Sequence, residues 1–146
     1  MTVNRSQIEA LIPQQGAMCL LDRVDFWDGQ RIICSTMQHL AATNPLRTPD
    51  GLSSLHGIEF AAQAMAAHGG LTTAGRPRPR AGLLLSARDC VFHRRRLDDL
   101  AGPLVIEAEQ LGSHDGTRLY RFKLTTKDEA VLDGRAAVML RDEALP

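Results

Sequence analysis

A glutamate stands in this sequence where an ordinary core would not place one. In "GIEFAAQAMAAHGG", residues 57–70, Glu59 and Gln63 lie one helical turn apart among small apolar residues, and no Lys or Arg stands within a turn of Glu59. A helix turns about 100° per residue, so His56, Glu59, Gln63, Ala66 and Gly70 fall on one stripe. That stripe combines an acid-base group, an amide and, lower down, a floor with almost no side chain, over which a slender ligand or another backbone can pass. Burial there would push the carboxylate towards its neutral form, opposed by about 0.3–1 kcal/mol from the free amides of the first turn. A group so balanced donates or accepts protons near neutral pH. On spacing alone the plain alternative stays open, with Glu59 on a solvated helix start or bonded to a loop amide. His56 sits a turn earlier at the helix start, where a histidine is kept neutral and able to accept a proton. His68 is expected to act as a partner for the helix C-terminal dipole.

The elements that must position this stripe are readable from pattern. Ser6–Leu11 is a short amphipathic segment halted by Pro13. Residues 18–38 read as two strands about Asp28-Gly29, a pair that tolerates the positive φ of a tight turn. Asn44–Gly51, "NPLRTPDG", is a loop. Leu55–Ala67 is the one long helix, capped by Ser53 or Ser54 and ended by Gly69-Gly70. After the linker "TTAGRPRPRAG" come "GLLLSARDCVFHRRR", "PLVIEAEQL", "TRLYRFKLTT" and "AVLDGRAAVML", all strand-like, with "SHDG" as a hairpin. One apolar helix and about six strands give an α+β fold in a single domain, residues 1–146. The helix is wrapped by a curved antiparallel sheet.

Composition excludes several classes of function. The chain has 146 residues, with 17 basic and 17 acidic side chains, so no net field recruits nucleic acid or an acidic membrane. Six aromatics, none interleaved with the arginines, give no stacking platform for nucleic acid. Neither a signal peptide nor an apolar run long enough for membrane insertion is read. Cys19, Cys34 and Cys90 are odd in number and widely spaced, which reads as reduced thiols in a cytoplasmic protein. No metal-ligand spacing and no phosphate-cradling loop is present, so neither a metal nor a cofactor is expected.

The segment "IEALIPQQGAMCLLDRV" and the helix "GIEFAAQAMA" together resemble the hotdog-fold 3-hydroxyacyl-carrier-protein dehydratases, in which a Leu-Pro stretch precedes "LLVDRV" and the central helix reads "EAMAQ". Within that group the chain is most similar to the dehydratase-like proteins of aryl-polyene biosynthesis, through Asn44–Arg47 and Gly57–Met65. The resemblance implies a hotdog fold, paired either with a second copy or with a related hotdog subunit, and dehydration of a 3-hydroxyacyl thioester to the 2-enoyl thioester. It gives Glu59 the carboxylate role, Gln63 that of the orienting amide, and the helix-start backbone at Gly57 that of polarising the thioester carbonyl. Asn44, Ala66 and Gly70 join the substrate-binding set. The family's histidine stands in a loop upstream of the glutamate; here the corresponding loop holds none, and position 45 is Pro45. His39, just before that loop, and His56 are the candidates to replace it; a water- or backbone-bonded histidine is the plain alternative for each. Acyl carrier protein and coenzyme A both present anionic groups. Arg76, Arg78, Arg80, Arg94 and Arg96 are therefore candidate contacts for them; ordinary solvated arginines are the alternative. Three readings follow: a dehydratase, a thioesterase in which Glu59 activates water, and a non-catalytic acyl-binding partner subunit.

Overall fold

The computed structural model describes residues 2–73 and 80–142. Its centre is the helix α2, Gly57–Thr72, in which eleven of sixteen residues are buried, so it is a core element and not a surface amphipath. A single 3-10 turn, Ser54–His56, leads into it, and the Ser53 side chain accepts the Leu55 amide there. The helix does not stop at Gly69-Gly70 as the sequence suggested. Neither glycine adopts a positive φ. Their missing side chains serve packing instead: a Cβ on Gly69 would lie 2.6 Å from Leu140, and one on Gly70 3.0 Å from Leu11. Termination comes two residues later. The Thr72 hydroxyl donates to the His68 carbonyl (2.8 Å) and the Thr73 hydroxyl to that of Gly69 (2.7 Å).

Around this helix runs one antiparallel sheet of seven strands: β1 (Val3–Asn4), β2 (Arg23–Trp27), β3 (Arg31–Thr36), β4 (Arg80–Phe92), β5 (Leu104–His114), β6 (Thr117–Thr126) and β7 (Glu129–Asp142). Their spatial order is β1-β2-β3-β5-β6-β7-β4. The strand beyond the six expected is β1, two residues paired with β2. The short helix α1, Arg5–Glu9, follows it, capped by Asn4. The β2–β3 turn forms without the positive φ expected at Asp28-Gly29, since neither residue adopts one. Asp28 accepts the amides of Gln30 (2.9 Å) and Arg31 (2.7 Å) between β2 and β3. Asp115 and Gly116 take φ of 50° and 80° between β5 and β6. Alternate residues of β5 and β6 (Leu104, Ile106 and Ala108; Tyr120, Phe122 and Leu124) are buried and join Phe60, Ala64 and Met65 of α2 in a single core.

His68 corrects the expectation made for it. It is fully buried, and its Nε2 donates to the Asp28 carbonyl at 2.9 Å. Its Nδ1 therefore accepts from the Tyr120 hydroxyl at 2.7 Å. The histidine ties the helix to β6 and to the β2–β3 turn instead of answering the helix dipole. Burial holds both His68 and the equally buried His39 below the ordinary imidazole value. The unfolded chain then binds protons that the folded chain refuses. Their contribution to stability is complete above about pH 6.5 and is lost as the pH falls below it. Urea titrations from about pH 7.5 down to about pH 5 should show a falling midpoint. A midpoint that stays flat or rises would contradict this account of the two histidines.

Candidate active site

Glu59 lies half-buried in the first turn of α2, and residues 14–20 cross over it. Gln63 fastens that crossing. It is fully buried; its Nε2 donates to the Met18 carbonyl at 2.8 Å and to Glu59 Oε2 at 3.0 Å, while its Oε1 accepts the Leu20 amide at 2.8 Å. Gln14 reaches the same carboxylate oxygen from the other side, its Nε2 lying 3.3 Å from Glu59 Oε2. Two amides thus converge on one oxygen, and among the described residues no hydrogen-bond partner engages Oε1. Behind them Arg5 pins the crossing segment, donating to the carbonyls of Gly16 (2.9 Å), Cys19 (2.6 Å) and Leu21 (3.1 Å) and to Asp22 (3.2 Å). Gly16 takes φ of 59°, a conformation that favours glycine, where this segment turns. Glu59 is therefore neither fully dry nor free in solvent. It is a half-buried carboxylate oriented by amides, able to take or give a proton at Oε1.

The other residues singled out from sequence are distributed around this centre. His56 stands at the start of α2, half-buried, and its side chain makes no hydrogen bond or ion pair with the described residues. His39 is bound elsewhere: its Nε2 donates to the Leu100 carbonyl at 3.0 Å, and neither ring nitrogen bonds Glu59. Asn44 builds its own loop, donating to the Gln38 carbonyl (2.9 Å) and accepting the Leu46 amide (2.9 Å). Gly57 departs from the role given to it. Its amide already bonds within the 3-10 turn, to Ser54 and Leu55, and a Cβ there would lie 2.8 Å from Leu132. Helix–sheet packing is what this glycine permits. The narrow floor expected at Ala66 and Gly70 is closed within the chain, because Gly70 packs on Leu11 and Ala66 is buried.

The arginines divide. Arg94 pairs with Glu129, and Arg96 grips the buried carboxylate of Asp98. The Arg96 hydrogen bonds hold that carboxyl well below the usual carboxylate range, and it also accepts the Leu52 amide (3.1 Å). Arg96 therefore braces the approach to α2. Arg80 opens β4 opposite Asp142; Arg76 and Arg78 lie outside the described residues. Cys19, Cys34 and Cys90 are free, and burial pushes each thiol up, away from the reactive thiolate. Among the described residues, no group of three or more His, Cys, Asp and Glu side chains is placed to hold a metal ion, and no helix is long and apolar enough to cross a membrane. Sequence reading missed Gln14, Arg5 and the Met18–Leu20 backbone, which nothing in the spacing around Glu59 announces.

Comparison with known proteins identifies the family and the fold. A protein-family model described as ApeP-like, ApeP dehydratase, matches residues 6–145. No curated protein matches the chain in sequence. Among solved structures, the chain is similar to one described as the dehydratase heterocomplex ApeI:P from Xenorhabdus doucetiae. The TM-score is 0.81 at 18% identity, covering 93% of this chain and 91% of the other. It is also similar to a thioesterase from Haemophilus influenzae, with a TM-score of 0.67 at 10% identity over 99% and 95% of the two chains. A hypothetical thioesterase protein with coenzyme A, from Streptococcus pneumoniae, gives 0.57 at 12% identity over 82% and 84%. The architecture they share with this chain, one long helix on an antiparallel sheet, is the hotdog fold.

Proposed function

Because the chain belongs to the ApeP-like dehydratase family, we propose that it eliminates water from a 3-hydroxyacyl thioester, carried on an acyl carrier protein or coenzyme A, with Glu59 as general acid/base. One observation carries this reading: Glu59 stands at the start of the central helix with Oε2 fixed by two amides and Oε1 without a partner among the described residues. In the elimination the C2–H bond breaks, and as its electron pair forms the C2=C3 π bond the C3–O bond breaks with its pair on the oxygen, which takes a second proton and departs as water. Two proton transfers are needed, and among the described residues no other ionisable side chain hydrogen-bonds Glu59.

The second proton falls to a histidine. His56 of this chain is unbonded among the described residues and stands on the same stripe; a histidine of a partner subunit is the other source, as the family's arrangement implies. His39 would have to leave Leu100 to serve. Partnering is favoured by β4, which pairs with β7 on one side only and carries exposed Leu83, Leu85, Val91 and Phe92. An unpaired apolar edge of this length invites another sheet. The dehydratase described as a heterocomplex supports a related hotdog subunit over a second copy. Thioester hydrolysis, with Glu59 activating water, is the alternative that the thioesterase likenesses favour.

Mass spectrometry of a 3-hydroxyacyl carrier protein, incubated with this protein alone and with a related hotdog subunit, tests the proposal. Loss of the mass of one water is expected. A free acid would transfer the reading to hydrolysis, and unchanged substrate under tight binding would make the chain a non-catalytic partner.

A further inference from the structure

We infer that Gln14 is a positioning residue for Glu59: with Gln63 it confines Oε2 to accepting hydrogen bonds, so that Oε1 is the oxygen that exchanges a proton with substrate. This rests on Glu59 being the acid/base of the elimination. The two glutamines differ in a way that isolates the role. Gln63 also bonds the backbone at Met18 and Leu20, so it supports the fold as well as the carboxylate. Among the described residues the only hydrogen bond made by the Gln14 side chain is the one to Glu59, and its own Oε1 is buried with no partner there.

A buried amide oxygen left unpaired is rare in folded proteins and unfavourable. Turning the amide over would set that oxygen against the carboxylate, oxygen to oxygen. The carboxylate of Glu59 therefore fixes which way Gln14 points. When Glu59 takes up a proton, Oε2 is already occupied by two N–H donors, so the proton resides on Oε1. The neighbouring Gln15 sharpens the contrast. Its Nε2 donates to the carbonyls of Glu9 (2.5 Å) and Ile12 (3.1 Å), a backbone duty remote from the carboxylate.

The test has one arm that needs no turnover. Side-chain amide NMR signals of Gln14 and Gln63 in the full chain should shift together over one pH transition, and that transition should vanish in Glu59→Gln. Gln14 signals that ignore the transition followed by Gln63 would overturn the inference. In the second arm, Gln14→Met keeps the side-chain length and removes both polar atoms. Its kcat for elimination should fall about 10-fold with KM nearly unchanged, while Gln15→Met leaves both as in the wild type. An unchanged kcat in Gln14→Met, a loss carried by KM instead, or an equal loss in Gln15→Met contradicts the role. The two levels fail separately. Coupled amide signals in a protein that eliminates no water would refute the functional reading and leave the grip of Gln14 on Glu59 standing; an active enzyme indifferent to Gln14→Met would do the reverse.

Discussion

Glu59→Gln lowers the rate of water elimination by roughly 100- to 10,000-fold, the range over which a positioned acid/base acts. The substitution is nearly isosteric, and its carbonyl oxygen can take the place of Oε2 as acceptor for Gln14 and Gln63. No buried donor is stranded, and the thermal midpoint should stay within about 2 °C of wild type. What is lost is the capacity to carry a proton on the oxygen that faces substrate. Single-turnover kinetics on a 3-hydroxyacyl thioester, paired with a thermal melt, separate these effects. Activity within about tenfold of wild type would remove Glu59 from the chemistry; a collapsed melt would place it in the fold instead.

The second large effect concerns stability. Gln63→Leu removes the amide that joins α2 to the crossing segment, leaving the Leu20 amide and the Met18 carbonyl without their partner. Each such group costs about 1–3 kcal/mol when buried, so a loss of about 2–5 kcal/mol is expected. In a domain of this size that is a fall in Tm of roughly 5–15 °C. Urea unfolding of Gln63→Leu and of Gln14→Met should differ sharply, since only Gln63 bonds to backbone. Equal stability in the two variants would mean that the crossing segment is held by Arg5 and packing alone.

Much of the architecture was legible because its signals are local. Asp115-Gly116 announces its hairpin through the φ it tolerates and Asp28 through the amides its carboxylate accepts, while alternation along β5 and β6 declares a half-buried sheet. The helix end was misread for a physical reason. Two consecutive glycines favour a stop when only neighbours are considered, yet Leu140 and Leu11, distant in sequence, require their flat surface. His68 misled in the same way: its partner Tyr120 lies 52 residues downstream. The two-residue strand β1 is too short to leave a pattern. At the site, Glu59 and Gln63 were visible because four residues of helix place them on one face. Gln14 and Arg5 were not, since only the folded chain carries a segment 45 residues upstream across the carboxylate. Gly57, read as a carbonyl-polarising amide, proved to be a packing glycine, a distinction that depends on where Leu124 and Leu132 fall.

The most direct test of the acid/base at Glu59 is the fate of heavy-oxygen water. A 3-hydroxyacyl carrier protein is incubated with wild type or Glu59→Gln in water labelled with oxygen-18, together with a related hotdog subunit. Reversible elimination should place the label in the 3-hydroxyl group of the thioester with wild type, and roughly 100-fold more slowly or not at all with Glu59→Gln. Label appearing instead in a released carboxylate, or entering the hydroxyl equally fast with both proteins, would contradict the account.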